Sequence, residues 1–174
     1  DAPARNPMNL SLSTTPRLRE ALTGVCAIRM GEATDAAEVA RILVEWAGQR
    51  CGCRCALVAW SVRGAEVLAS TLATDPDVAL LLRLAALHPD GEAWRPVGDE
   101  LYAARVSQAP VVLLLQADAP PSAERLAALV PSLRLAATNI MRLAELASLR
   151  DSHQQLERSE NLQRALFAIS DLAG

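Results

Sequence analysis

The chain contains no lysine, because all 17 of its basic residues are arginine. Walker-type phosphate loops, Schiff-base chemistry and lysine nucleophiles need that residue, so these enzyme classes are excluded. The sequence also lacks the signatures of serine hydrolases, zinc proteases, paired aspartates and cysteine–histidine pairs. We therefore expect no catalytic residue and no enzymatic activity in this chain.

Excess positive charge and long apolar runs are missing as well. The chain carries 20 acidic and 17 basic residues, a net charge of −3, whereas nucleic-acid binders usually present a basic stripe. No apolar run reaches the ~18 residues that a membrane-spanning helix needs, and the start lacks the charged-then-apolar order of a secretion signal. These absences predict a cytoplasmic protein with no nucleic-acid or membrane partner.

Cysteine is scarce, and three of the four residues form a CxCxC run at Cys51, Cys53 and Cys55. That spacing differs from the CxxC knuckle of structural zinc sites, and a fourth ligand is not evident nearby. If a strand begins here, Cys53 and Cys55 share one face and pack as small apolar residues. We expect reduced, buried thiols and no metal site, with metal or redox sensing as the lesser alternative.

Alanine and leucine dominate what is present, with 33 and 28 residues, whereas aromatic residues make up 3% of the chain. This bias favours helix. A first helix is predicted from Pro16 to about Gly31. A second begins after Asp35, which with Glu38 forms a capping-box pattern, and its apolar stripe comprises Val39, Leu43, Val44 and Ala47.

Four strands are predicted after these helices. Residues 53–62 and 67–74 are expected to pair as an antiparallel hairpin through a turn at Gly64. A short, mostly buried helix follows over residues 76–87, started by Asp75-Pro76.

The last two predicted strands are residues 100–106 and 110–116. The second contains the unbroken apolar run VVLLL, which is typical of a central strand with both faces covered.

Residues 123–173 contain one proline, Pro131, and no glycine, which predicts one very long helix or two in series. Its first half has the broad apolar face of a helix that lies on a sheet. From residue 150 to residue 161, Leu156 is the one apolar side chain, so this stretch cannot be buried in its own domain.

We expect this last helix to pair with a second copy of the chain. Leu149, His153 and Leu156 follow a 4-then-3 spacing, so two copies would share a narrow seam, to which Leu146 is also assigned. A new apolar stripe then starts at Leu162. We therefore predict a homodimer through the first and last helices, and a chain that continues into a further domain.

The order helix, helix, hairpin, helix, two strands and exit helix resembles a GAF domain, a sensory fold of bacterial signalling proteins. The likeness is carried by residues 39–60, where a helix runs into the first strand, and by residues 101–140, with LYAARV, PVVLLLQA, an acidic-proline break and an amphipathic helix. The resemblance implies an α/β (α+β) fold with a central antiparallel sheet flanked by helices and a long C-terminal signalling helix. It divides the chain into a flexible lead (1–15), a GAF-like sensor domain (16–149) and a connecting helix (150–174).

The resemblance also implies a ligand pocket between one sheet face and the segment after the second strand. Trp60, Trp94, Arg95 and Tyr102 are the candidate pocket residues, although for Trp60 and Trp94 an ordinary role as core or lid aromatics is the favoured alternative. No cofactor is evident. The cyclic-nucleotide signature of the family needs a lysine, the bilin-binding type commonly has a Cys followed by His, and this chain has neither. Haem ligation is disfavoured, since His88 is expected to cap a helix and His153 to be solvated.

The run LERSENLQRALFAISDLAG resembles the helix that connects GAF or PAS modules in multi-domain sensors. Such arrays occur in GGDEF diguanylate cyclases, which make cyclic di-GMP, and in histidine kinases; we favour the cyclase. The implied function is a regulatory domain that dimerises and relays the state of a ligand or partner through its C-terminal helix to an output domain. The alternatives are a ligand-free scaffold for dimerisation or protein docking and, more distantly, a methionine sulfoxide reductase of GAF type that uses Cys53 or Cys55.

Overall fold

The computed structural model describes residues 16–61, 64–86, 94–105 and 110–173. The predicted lead, residues 1–15, and His88 lie outside this part of the chain. The described elements are α1 (Pro16–Glu32), α2 (Ala36–Cys51), β1 (Arg54–Ser61), β2 (Gly64–Ser70), α3 (Val78–Ala85), β3 (Arg95–Gly98), β4 (Leu101–Arg105), β5 (Val111–Gln116) and α4 (Ala123–Ala173). The strands form one antiparallel sheet in the order β2-β1-β5-β4-β3, which confirms the predicted fold class.

Strand β5 lies at the centre of the sheet, as its apolar run predicts. All five residues from Val111 to Leu115 are buried, because alternate side chains point to the two faces and both faces are covered. Leu113 and Leu115 face the core formed with α1, α2 and α4, and Val112 and Leu114 face α3. Each buried leucine contributes roughly 1.5–3 kcal/mol relative to exposure in water.

Helix α2 begins and ends through specific backbone contacts. The Asp35 carboxylate accepts a hydrogen bond from the Glu38 backbone N–H at 2.7 Å, and the Glu38 carboxylate accepts one from the Thr34 backbone N–H at 3.0 Å. The predicted capping box is therefore present, with its return bond one residue earlier than usual. Gly52 ends the helix with φ +67° and donates to the Gly48 carbonyl at 2.8 Å.

Two predictions about the hairpin need correction. Strand β1 begins at Arg54, so Cys53 is not on the strand; its backbone N–H bonds the Gly48 carbonyl at 3.3 Å and extends the helix cap instead. Strand β2 runs from Gly64 to Ser70 rather than over residues 67–74, so Gly64, predicted as the turn, is its first residue and pairs with Ser61. The Thr71 hydroxyl accepts a hydrogen bond from the Cys55 N–H at 2.9 Å and donates one to the Cys55 carbonyl at 3.1 Å. The Thr71 side chain therefore satisfies backbone groups of β1 beyond the last residue of β2.

Helix α3 starts later and is less buried than predicted. Its N-cap is Asp77, whose carboxylate accepts from the Leu80 backbone N–H at 2.7 Å, and Asp75-Pro76 precedes the helix. Leu80 and Leu84 are buried, but Val78 and Leu82 are exposed. The prediction of a mostly buried helix is wrong, since α3 packs on the sheet with one face.

A fifth strand, β3, was not predicted. It has four residues, includes Pro96, and pairs with β4 through Arg95–Ala103 and Pro96–Tyr102. A proline cannot donate to a ladder, so its presence argues against a strand except at a sheet edge. The edge position of β3 removes that conflict.

Helix α4 is a single helix that continues through Pro131. A proline inside a helix costs about 3 kcal/mol, which the burial of neighbouring side chains offsets here. Of the predicted sheet-facing residues, Ala144 is exposed and the others are buried: Leu126, Leu129, Leu133, Ala137 and Ile140. Among the described helices, none combines the length and apolarity that crossing a membrane requires.

Replacing Gly52 with alanine tests the turn that joins α2 to β1. A Cβ at this position meets no atom within 4 Å, but the backbone is left-handed, so Gly52→Ala is expected to lower the free energy of unfolding by about 1 kcal/mol. Gly24 in α1 also has open space around it and no positive φ. The control Gly24→Ala should leave stability unchanged or raise it by up to about 1 kcal/mol. Equal effects of the two variants in urea unfolding would contradict this account.

Candidate functional site

The four predicted pocket residues do not meet at one place. Trp60 packs with the cluster under α3, whereas Trp94 packs against the cluster on the side of α1, α2 and α4. Tyr102 pairs with Leu115, which faces that second side, and the exposed Arg95 pairs with Ala103, which faces α3. Their assignment to a ligand stays a prediction.

The face under α3 leaves little room for the pocket that the resemblance implies. Leu80 and Leu84 of α3 belong to one buried apolar cluster with Ala56, Val58 and Leu114 of the sheet. Apolar side chains thus occupy the described part of this face. The indole Nε1 of Trp94 is buried without a hydrogen-bond partner in the described part of the chain.

A cleft of about 410 Å³ lies instead at the end of the sheet where α2 stops and α4 starts. We call it the thiol cleft. It forms because β1 and β5 are antiparallel neighbours: Arg54 at the start of β1 pairs with Gln116 at the end of β5. The Ala117 N–H bonds the Glu100 carbonyl at 2.8 Å and closes one wall. Its lining residues are Cys51, Gly52, Cys53, Arg54, Glu100, Gln116, Ala117, Asp118, Pro121 and Arg125.

Cys51 and Cys53 line this cleft, and the Cys53 thiol is in contact with the thiols of Cys51 and Cys55. Burial raises the pKa of the Cys51 thiol from 9.0 to about 11, against the lowering effect of Arg125 and Arg50. Burial also raises the pKa of Cys53, which its contact with Cys51 and the charge of Arg125 lower. Cys55 is fully buried, and burial raises its pKa further. These thiols are therefore protonated at neutral pH.

The cleft has charged residues of both signs, which suit a small polar ligand. Arg54 and Arg125 supply positive charge, and Glu100 and Asp118 supply negative charge. Within the described ranges, no group of three or more Cys, His, Asp or Glu side chains is arranged to hold a metal ion. None of the predicted pocket residues lines this cleft.

Sequence reasoning missed the thiol cleft because its walls come from three separate junctions of the chain, α2–β1, β3–β4 and β5–α4. The signal was nevertheless present: a helix stop at Cys51-Gly52-Cys53 and an Asp-Pro break after β5. Once β1 and β5 are known to be antiparallel neighbours, the start of β1 and the end of β5 must lie at the same end of the sheet.

A second, shallower groove of about 620 Å³ lies between the start of α2 and the end of β2. Its charged residues Asp35, Glu38 and Arg41 already have local partners, because the first two cap α2 and Arg41 pairs with Glu45 at 3.4 Å. This groove is a weaker candidate for ligand binding than the thiol cleft.

Comparisons with known proteins bear on the fold. No protein-family model matches the sequence, and no curated protein matches it. A crystal structure described as the GAF domain of a sensor histidine kinase from Pseudomonas syringae pv. tomato matches with a TM-score of 0.57 at 16% identity, over 78% of this chain and 94% of that one. The chain has the GAF fold. The GAF domain of the potassium sensor histidine kinase KdpD from Escherichia coli matches at 12% identity and a TM-score of 0.49, over 75% and 98% of the two chains.

The far half of α4 projects from the GAF fold into solvent. Every described side chain from residue 144 to residue 172 is exposed, a length of about 44 Å at 1.5 Å per residue. The predicted seam residues lie there: Leu146 is 38% exposed, Leu149 66% and Leu156 65%. His153 is also exposed, and its Nδ1 lies 3.5 Å from a carboxylate oxygen of Glu157 on the same helix.

The thiol cleft should react slowly with alkylating reagents. A pKa near 11 instead of 9.0 for Cys51 lowers its thiolate fraction at neutral pH by about 100-fold. Alkylation of Cys51 by iodoacetamide, followed by peptide mass spectrometry, should therefore be about 100-fold slower in the folded chain than in the urea-unfolded chain. The rate should rise about tenfold per pH unit up to about pH 10. Equal rates in folded and unfolded chain at neutral pH would contradict the assigned burial.

Proposed function

We propose that this chain is a regulatory sensor module that dimerises through α1 and α4 and relays the state of a ligand or partner along α4 to an output domain. The observation that carries the proposal is the division of one helix into two halves. Leu126, Leu129 and Leu133 are buried in the core, and the same helix continues for about 44 Å in solvent. A shift of the buried half must therefore move the exposed half.

The input end of this helix lies at the thiol cleft. Arg125 is in the first turn of α4 and lines the cleft, and its charge acts on the thiols of Cys51 and Cys53 at the end of α2. A ligand in the cleft would contact both helices. It shifts α4 only to the extent that it binds two arrangements of the helices with different affinity.

Helix α1 supports the proposed dimer. The side-chain amide of Asn139 donates to the Met30 carbonyl at 3.1 Å and joins α1 to α4. Val25 and Ile28 of α1 are nevertheless 53% and 63% exposed, so an apolar surface next to α4 is left without cover in the single chain. A second copy would bury it.

A ligand-free scaffold is the second candidate, because apolar side chains fill the described face under α3. A thermal-shift screen with nucleotides, haem, metal ions and amino acids separates the two functions. A ligand at 100 times its Kd should stabilise the fold by about 2.7 kcal/mol. Stabilisation by one compound, lost in Arg125→Ala, supports a sensor that uses the thiol cleft, and no shift with any compound supports the scaffold.

We infer a diguanylate cyclase as the output domain from the resemblance of the C-terminal run to connecting helices. A histidine kinase is the other candidate, favoured by the Pseudomonas GAF structure, which comes from a protein described as such a kinase. The reading frame of the gene after Gly174 decides between them. A GGDEF domain there would support the cyclase.

Dimerisation is tested by placing charges on the predicted seam. The double variant Leu149→Glu/Leu156→Glu should raise the dissociation constant of the dimer in sedimentation, because four carboxylates would face one another in helices paired on this seam. The control Ala147→Glu/Gln154→Glu adds the same residues on the opposite side of the helix and should remain dimeric. An unmodified chain that sediments as a monomer well above micromolar concentration would contradict the proposed dimer.

A further inference from the structure

Helix α4 carries two exposed apolar stripes rather than one. The proximal stripe comprises Leu146, Leu149 and Leu156, with His153 between them. The distal stripe comprises Leu162, Leu166 and Ile169, which are 66%, 66% and 63% exposed. Both have the 3- and 4-residue spacing with which a helix pairs with another helix.

The two stripes face different directions. An α-helix turns by 100° per residue, so the centre of the distal stripe lies about 150° around the axis from the centre of the proximal stripe. A seven-residue repeat continued from the proximal stripe would bring one apolar residue, Phe167, and three polar ones into the seam in place of the distal stripe, namely Glu160, Gln163 and Ser170. Glu160 would then face its own copy, although it already pairs with Arg164 at 3.5 Å.

Both stripes fit a second copy of the same helix. In a parallel pair closed on the proximal stripe, Glu145 of one copy lies beside Arg150 of the other, an attractive pair. The positions that flank the distal stripe are uncharged, namely Gln163, Ala165, Ser170 and Leu172, so identical helices can approach there without repulsion.

We propose that the dimer has two alternative pairings of α4, one closed on the proximal stripe and one closed on the distal stripe. Straight helices cannot close both at once, because the stripes face nearly opposite sides. The polar residues 157–161 separate the two seams. This inference rests on the proposed dimer, and it assigns the relayed state to the choice of seam.

Cysteine cross-linking tests the two pairings. In the unmodified chain Cys26 and Cys55 are buried, and that chain serves as the background control. Leu149→Cys and Leu166→Cys should each give cross-linked dimers with a short bismaleimide. A continued seven-residue seam would place residue 163 at the interface. In the two-seam arrangement, Gln163→Cys should therefore cross-link at least tenfold more slowly than Leu166→Cys. In the double variant Leu149→Cys/Leu166→Cys, doubly bridged dimers should be below a tenth of singly bridged ones, as counted by mass spectrometry.

The outcomes separate this proposal from the dimer on which it rests. If Leu149→Cys cross-links but Gln163→Cys reacts faster than Leu166→Cys, or doubly bridged dimers predominate, the helices share one continuous seam and the two-seam proposal is wrong while the dimer stands. If Leu149→Cys cross-links and Leu166→Cys does not, the distal stripe does not pair with a second copy. Absence of cross-links at every position overturns the proposed dimer itself.

Discussion

The structure depends on one helix having two environments along its length. The first five turns of α4 bury Leu126, Leu129, Leu133 and Ile140 against the sheet, and this burial fixes the direction in which the remainder leaves the fold. Because the backbone hydrogen bonds continue without interruption, the exposed half cannot reorient independently of the buried half. The apolar contacts of the core therefore determine where the proposed seams point.

The same constraint explains why the thiol cleft is a suitable input. The cleft lies where α2 ends, β1 begins and α4 starts, so a small displacement at Arg125 is transmitted along a rigid element. By contrast, the face under α3 is separated from α4 by the sheet itself. A ligand bound there would have to act through β5, whose residues from Val111 to Leu115 are all buried and which close-packed neighbours hold in place.

Periodicity and end signals were sufficient to predict most of the elements. The apolar run of β5 predicted its central position, and the Asp35 and Glu38 pair predicted the start of α2. The absence of glycine predicted one very long helix or two in series, and α4 is a single helix. These signals are local, and each reports on the backbone over a few residues. Where two local signals competed, as with Asp75-Pro76 and Asp77 before α3, the sequence could not say which carboxylate finds a free N–H.

The site was harder to predict because it depends on strand order. Trp60 and Trp94 were assigned to one pocket. Trp60 lies an even number of residues from Ala56 and Val58 on β1 and therefore shares their side of the sheet. Trp94 directly precedes β3, a strand that was not predicted. Nothing in the sequence fixes how β1 and β5 become neighbours, and that pairing creates the thiol cleft. The prediction that Cys53 and Cys55 share one face of a strand was wrong, since Cys53 belongs to the cap of α2.

The chemistry of the cysteines narrows how a signal enters the molecule. A redox sensor needs a thiolate that reacts at neutral pH, whereas burial raises the pKa of Cys51 and Cys53 at the cleft and of the adjacent Cys55. The raised pKa weighs against Cys53 or Cys55 as a nucleophile and favours a structural role for both thiols. Small side chains let α2 and β1 approach closely here, since a Cβ on Gly48 would lie 3.1 Å from the Cys53 carbonyl oxygen. The signal is then better carried by non-covalent contacts with Arg54, Arg125 and the flanking carboxylates, which can change the packing of α4 without any covalent step.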